Sequence, residues 1–203
     1  MGKVPVSSRI AGVCGIASQL AGLATVLVTV SVSPWYSWTE NYVSVLGTEG
    51  SVTVLFNSGL ILTGVLGLIF AAGLWRNLPS GLLNRPGKAG VACLVLGSVS
   101  LSAMGIFPRY IEYPHNIASI TFLFFIVLGF LLIGLTGITG SSKKWGWFSL
   151  GAGLSILVLQ LVPWPWSGGA IQQMLFCLPW SLWTVVISAR LLAGNRAVST
   201  GAG

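Results

Sequence analysis

Residues 116–139 read NIASITFLFFIVLGFLLIGLTGIT, a run of 24 residues without a charged side chain. A helix of this length rises about 36 Å, more than the roughly 30 Å of hydrocarbon in a bilayer. Five further apolar runs are long enough to do the same, so we predict helical membrane spans at 10–32, 52–75, 90–107, 116–139, 145–163 and 170–192. The predicted fold is all-α, a polytopic membrane protein in which residues 1–203 form a single six-span domain.

The composition independently excludes a soluble globular domain. Only 6% of the 203 residues are charged and 54% are hydrophobic, whereas about a quarter of an ordinary globular chain is charged. The net charge of +7 would suggest a nucleic-acid partner in a soluble protein, but in a membrane protein it reports topology, so we expect no nucleic acid. The first run is too long for a signal peptide and has no cleavage pattern before Pro34, so we expect a retained span.

The basic residues predict the orientation. Nine of the ten lie on one side of a six-span chain: Lys3, Arg9, Arg76, Arg85, Lys88, Lys143, Lys144, Arg190 and Arg196. The positive-inside rule makes this side cytoplasmic and places both termini there. All three acids, Glu40, Glu49 and Glu112, then lie outside with Arg109 and His115. We expect a multi-pass protein of the cell membrane.

The predicted spans carry no Asp, Glu, Lys or Arg at depth, which argues against a charge-coupled pump. A neutral polar path from Asn57 toward Gln19 would still suit a transporter of a neutral solute. For Gln19 itself we first expect a hydrogen bond between helices, and small residues such as Gly15 and Gly59 predict close helix packing. Three isolated cysteines within apolar runs are expected to be packing residues rather than ligands or disulfide partners.

The first external connection contains SPWYSWTENYVSVLG at residues 33–47. Ser33 followed by Pro34 is typical of a helix start. From there, Trp35, Trp38 and Tyr42 would share one face, at spacings of three and four residues. This pattern predicts a short interfacial helix with its aromatic face in the membrane surface. The alternative is an aromatic-rich loop.

The second external connection lies within GIFPRYIEYPHN, residues 105–116. Arg109, Glu112 and His115 bring three titratable types together in the nine residues from Pro108 to Asn116, which Pro108 and Pro114 stiffen. With one or more of Glu40, Glu49 and Glu112, the histidine would suit a divalent metal site or act as a base oriented by a carboxylate. The alternatives are recognition of a polar ligand, or a surface pair of Arg109 with Glu112 beside a histidine that bonds at the start of span four.

Several short motifs resemble one membrane family. They are NYVSVLG at 41–47, Phe56-Asn57 opening span two, GIFP at 105–108 closing span three and His115 opening span four. Together they resemble domain of unknown function 998, a multi-pass family of archaea and bacteria. The resemblance implies six spans and a shared external motif on Asn41, Ser44, Gly47, Asn57, Pro108 and His115, but no activity. Val45 stands where the family usually has an acid.

These observations favour a non-catalytic protein that binds a lipid-like amphiphile or a partner membrane subunit at its outer face. The candidate ligand-binding residues are Glu40, Asn41, Ser44, Asn57, Arg109, Glu112 and His115. P-loop, CxxC and HExxH patterns are absent and there is one histidine, so we expect no catalytic residue, resident metal or cofactor. A membrane-surface enzyme using the Glu and His residues, and the neutral-solute transporter, are the alternatives.

Overall fold

The computed structural model describes residues 6–77 and 85–193, and within these ranges the chain is helical and has no strand. The described residues form six α-helices and one short 3-10 helix. The α-helices are α1 Val6–Ser31, α2 Thr53–Asn77, α3 Arg85–Ile106, α4 Glu112–Thr139, α5 Lys143–Leu161 and α6 Ala170–Ala193; the 3-10 helix is Val43–Gly47. The all-helical fold class predicted from the sequence is confirmed.

Helices adjacent in sequence pack against each other in antiparallel pairs. Gly73 of α2 lies against Ala11 of α1, while Gly59, nearer the start of α2, lies against Thr25 near the end of α1. The same reversed order relates each later neighbour, and α6 returns to pack against α1. The six helices therefore form a closed up-and-down ring, with connections 32–52, 107–111 and 162–169 all at one end.

Aromatic side chains fill the centre of this ring. Trp183 of α6 is 1% exposed, and its ring centroid lies 4.8 Å from that of Phe130 and 6.3 Å from that of Phe70. Its indole Nε1 donates a 2.8 Å hydrogen bond to Ser149 Oγ of α5. One residue thus contacts three other helices, and its indole N–H is satisfied inside the bundle.

Glycine allows the backbones to approach where neighbouring helices touch. A methyl group on Gly146 of α5 would collide with the backbone of Gly137 and Ile138 in α4. Such contacts are expected in a membrane bundle, because lipid supplies no hydrophobic force between helices and close packing must replace it.

Five of the six helices, α1 to α4 and α6, are long and apolar enough to cross a membrane. Helix α5, which begins with Lys143 and Lys144, is not among the five. Many of the side chains on the outside of the ring are large and apolar, including Leu20, Ile120 and Leu182, as expected of helices that face lipid. Lys3 and Arg196, used in predicting the orientation, lie outside the described residues.

The helix predicted to begin at Ser33 does not form. Residues 34–40 make successive turns, and helical geometry returns only in the 3-10 segment Val43–Gly47. Ser33 Oγ caps no helix and has no hydrogen-bond partner in the described part of the chain. Leu46 is fully buried against Val26 and Phe56. The segment is therefore held by the burial of Leu46 in the bundle, and not by a continuous aromatic helix face.

Candidate functional site

The three connections 32–52, 107–111 and 162–169 are called here the loop cap, and the first contacts both of the others. The first connection turns on itself: Asn41 Oδ1 accepts a 2.8 Å hydrogen bond from the Ser37 N–H. The rings of Tyr36 and Trp38 meet edge to face at 5.4 Å. Leu46 anchors the connection in the bundle. The cap is therefore a folded element rather than an extended linker.

Backbone hydrogen bonds join the first connection to the third and to the start of α6. Gly168 N–H donates to Thr39 O at 2.8 Å, and Ala170 N–H donates to Asn41 O at 3.0 Å. The second bond satisfies an amide at the first residue of α6, which has no acceptor within its own helix. A side chain at Gly168 would strike the backbone of Glu40 and Asn41, so this approach requires glycine.

Gln173, in the first turn of α6, reinforces the same junction. Its Oε1 accepts a 2.7 Å hydrogen bond from the Val43 N–H, 130 residues away in sequence. Sequence reasoning did not include Gln173 in the candidate site. The only signal available was its polarity at the start of an apolar span, and that signal does not identify a partner.

The second connection reaches the first through Arg109. Its guanidinium lies 4.6 Å from the ring centroid of Tyr42, and Nη1 donates a 3.2 Å hydrogen bond to Ser44 Oγ. Within the described ranges, neither Arg109 nor Glu112 forms an ion pair. The predicted surface pair between them is therefore replaced by a contact with the first connection.

Asn57 belongs to the joint between the loop cap and the helices. It is 9% exposed, and its Nδ2 donates a 3.1 Å hydrogen bond to Gly47 O. Its own carbonyl faces Gly105 of α3 so closely that a methyl group there would collide with it. One polar residue near the start of α2 thus contacts both the 3-10 helix and α3.

His115 is buried at the start of α4, with 3% of its surface exposed. Its Nδ1–H donates a 2.8 Å hydrogen bond to Phe107 O, just beyond the end of α3. Because a carbonyl only accepts, the neutral imidazole must carry its proton on Nδ1. Of the roles considered from the sequence, this geometry matches a histidine that hydrogen-bonds near the start of α4.

The three carboxylates do not gather around this histidine. Glu40 and Glu49 are exposed on the loop cap, and Glu112 is exposed at the first residue of α4. Among residues 6–77 and 85–193, no three His, Cys, Asp or Glu side chains are placed to hold a metal ion. Of the seven candidate residues, the structure joins Arg109 with Ser44 and Asn41 with the start of α6, and leaves the acids at the periphery.

The hydroxyl of Tyr36 is also buried, within the first connection of the loop cap. Its hydroxyl is inaccessible and finds no hydrogen-bond partner among the described residues. Removal from water disfavours the phenolate, and this burial raises the pKa of Tyr36 to about 12. The side chain therefore stays neutral at physiological pH and serves packing.

Large aromatic side chains surround the second connection. Tyr110 is 65% exposed and Tyr113 is 80% exposed, with Phe107 beside them at 40%. Tyrosine rings are enriched at the membrane–water interface, where the ring is apolar and the hydroxyl meets water. Arg109 thus lies in a segment otherwise rich in exposed aromatic and apolar surface.

A protein-family model described as "Protein of unknown function (DUF998)" matches residues 16–190, from α1 through most of α6. The chain belongs to the DUF998 family. No curated protein and no solved structure matches it. The motifs that carried the resemblance occupy the loop cap and its supports: in this DUF998 chain, Asn57 holds Gly47, and His115 bonds to Phe107.

Proposed function

We propose that this DUF998 protein is a multi-pass protein of the cell membrane that binds a lipid-like amphiphile with an anionic headgroup at the loop cap. The observation that carries the proposal is the state of Arg109. Its guanidinium is held by an aromatic ring and a hydroxyl, and in the described part of the chain no carboxylate neutralises it.

In the proposed topology all six helices cross the membrane, the termini are cytoplasmic and the loop cap faces outward. Helix α5 has 19 residues, which gives a length of about 29 Å at the helical rise per residue, close to the hydrocarbon thickness. Its antiparallel packing between α4 and α6 also supports a crossing. Arg109 is then the one basic residue of the sequence on the outer side.

The chemistry of Arg109 suits a phosphate group. A guanidinium has five N–H donors in a planar fork, and one side of the plane stays free when the other stacks on a ring. Here the guanidinium carbon lies 4.6 Å from the ring centroid of Tyr42, and Ser44 Oγ accepts one hydrogen bond from Nη1. The remaining donors are available for two parallel bonds to phosphate oxygens, a charge-assisted arrangement stronger than a neutral hydrogen bond.

The surroundings of Arg109 suit the apolar part of the ligand. Ile106, the last residue of α3, is 58% exposed, and Phe107 follows it; Tyr110 in the second connection and Tyr113 in the first turn of α4 are also exposed. An acyl chain along these side chains would extend toward the lipid-facing surface of α3 and α4. A lipid would thus meet a cation at headgroup level and apolar surface below it.

Asn41, Asn57 and His115 receive a different role in this proposal from the one predicted. Each uses a side-chain atom in a hydrogen bond to the backbone of the cap or its supports. We assign them to holding the cap in shape, so that Tyr42 and Ser44 remain under Arg109. The proposal gives the exposed Glu40 and Glu112 no ligand contact and places them at the edge of the site.

The proposal is tested by native mass spectrometry of the detergent-solubilised protein titrated with phosphatidylglycerol or phosphatidylcholine. We expect wild type to prefer phosphatidylglycerol, and Arg109→Gln to lose that preference several-fold. Arg76→Gln, which removes an exposed arginine at the opposite end of the bundle, should keep it. A parallel titration with glycerol phosphate separates the headgroup from the whole lipid.

Equal lipid occupancy in wild type and Arg109→Gln would contradict the proposal. If glycerol phosphate bound as tightly as the lipid, the ligand of the loop cap would be a soluble anion and not an amphiphile. If Arg109→Gln instead released a co-purifying membrane protein without changing lipid occupancy, a partner subunit would be the occupant of the cap.

A further inference from the structure

Three buried helical hydroxyls, those of Thr136 in α4 and of Thr184 and Ser188 in α6, do not follow the pattern of the others and have no partner among the described residues. Thr29, Ser98 and Ser149 are buried and each donates to a carbonyl one turn earlier in its own helix, at 2.7 to 2.9 Å. Thr184 is equally buried, with 1% of its surface exposed. Its Oγ1 has no partner among the described residues, although burial of an unpaired hydroxyl is unfavourable.

Thr184 lines a small cavity inside the ring. The cavity has a volume of about 20 Å³ and is bordered by residues of α1, α2, α3, α4 and α6. A buried water needs a cavity of roughly 10–15 Å³ and two to four polar partners. The volume therefore admits one water molecule and is too small for a lipid or a solute of several heavy atoms.

The polar part of the lining supplies such partners. Besides Thr184 it includes Ser18, Gln19 and Ser98. Ser18 Oγ donates to Gly15 O and accepts from Gln19 Nε2, and Ser98 Oγ donates to Leu94 O. Each serine oxygen keeps a lone pair, and the Thr184 hydroxyl can both donate and accept.

We propose that one water molecule is bound in this cavity and that it joins Thr184 of α6 to the serine hydroxyls of α1 and α3. The bound water satisfies the unpaired hydroxyl. It also adds to the direct hydrogen bond between these helices, in which Ser181 Oγ donates to Gln19 Oε1 at 2.8 Å. Hydrogen bonds between helices hold a membrane bundle together because the surrounding lipid contains no water to bond the same polar groups.

The sign of one stability change tests the site. In a dry cavity, Thr184→Val removes an unsatisfied hydroxyl and keeps the shape, so Tm should stay constant or rise. With a bound water, the same substitution removes a hydrogen bond and should lower Tm by about 2–4 °C in a chain of this size. The matched control is Thr136→Val in α4, because Thr136 is also buried and unpaired among the described residues but does not line the cavity.

We expect Thr184→Val to lower Tm relative to wild type and Thr136→Val to leave Tm unchanged or raise it. Thr184→Ser keeps the hydroxyl, so its Tm should lie closer to that of wild type than the Tm of Thr184→Val does. Thr184→Val as stable as Thr136→Val would overturn the proposal. A high-resolution structure of wild type gives the second readout, which decides even if the valine variant fails to fold. Density for one water beside Thr184 supports the site, and an empty cavity rejects it.

Discussion

The guanidinium of Arg109 lies 4.6 Å from the ring centroid of Tyr42 and so joins the second connection of the loop cap to the first. A cation–π contact at a partly exposed position contributes about 0.5–1 kcal/mol. In a cycle of Tyr42→Leu, Arg109→Gln and the double variant, measured by unfolding in neutral detergent, we expect a coupling energy of that size. Strictly additive effects would show that the two side chains do not interact.

Asn57 should be important for stability. Asn57→Ala leaves the Gly47 carbonyl without its donor in a buried place, so we expect the free energy of unfolding to fall by about 1–3 kcal/mol. Asn116→Ala is the control, because Asn116 is exposed on α4. Unfolding in increasing dodecyl sulfate measures both. The same loss in the two variants would contradict a specific role for Asn57.

The α2–α3 contact predicts a contrast between two glycine substitutions. Gly105→Ala places a methyl group against the Asn57 carbonyl and Ile61, whereas Gly151→Ala meets nothing within 4 Å. We expect the first to lower the free energy of unfolding by about 1–3 kcal/mol and the second to be neutral or stabilising through helix propensity. Thermal unfolding of the purified variants measures the difference; equal stability would contradict the packing at Gly105.

Tyr36 predicts a loss of stability in alkali. Its pKa is raised from 10.0 to about 12 in the folded protein by burial, so the folded state holds this proton more tightly than the unfolded state. The contribution is fully present below pH 10 and is lost as the pH rises toward 12. Unfolding measured across this range should therefore show a steeper fall for wild type than for Tyr36→Phe.

Tyr113→Phe is the control for that measurement, because Tyr113 is 80% exposed. This variant should retain the alkaline fall of wild type. Below pH 10, Tyr36→Phe should be at least as stable as wild type, since it removes a hydroxyl without a partner among the described residues. Parallel pH profiles for wild type and Tyr36→Phe would show that the phenol is not buried.

The proposed topology predicts which positions a membrane-impermeant thiol reagent reaches in intact cells. The native cysteines Cys14, Cys93 and Cys177 are first replaced by alanine. Ser167→Cys, in the third connection, should be labelled from outside, and Lys143→Cys only after permeabilisation, because α5 lies between them. Labelling of both positions without permeabilisation would mean that α5 does not cross the membrane.

The helical fold could be predicted because a bilayer requires every backbone polar group to be bonded internally, and a long apolar run satisfies this only as a helix. The ends of helices were less predictable. Helix α3 begins at Arg85 and α4 at Glu112, earlier than the predicted spans at 90 and 116. The apolar pattern marks the part of a helix suited to lipid, whereas the helix continues into polar residues.

The candidate site was predictable in composition but not in connectivity. Proximity in sequence grouped Arg109, Glu112 and His115, yet the first contacts Ser44, the second is exposed and the third bonds to Phe107. The partners of Arg109 are more than 60 residues away, and no local spacing encodes them. By contrast, the hydrogen bond between helices predicted for Gln19 is confirmed, with Ser181 as its partner.

The packing of α6 against α1 has a consequence for biosynthesis. Successive hairpins from α1–α2 to α4–α5 can assemble in the order in which the ribosome delivers them. The surface of α1 around Gly12 and Gly15, which Ser188 and Leu192 cover in the folded chain, must wait for the insertion of α6. A nascent chain stalled before α6 would leave this surface of α1, with its small residues, uncovered.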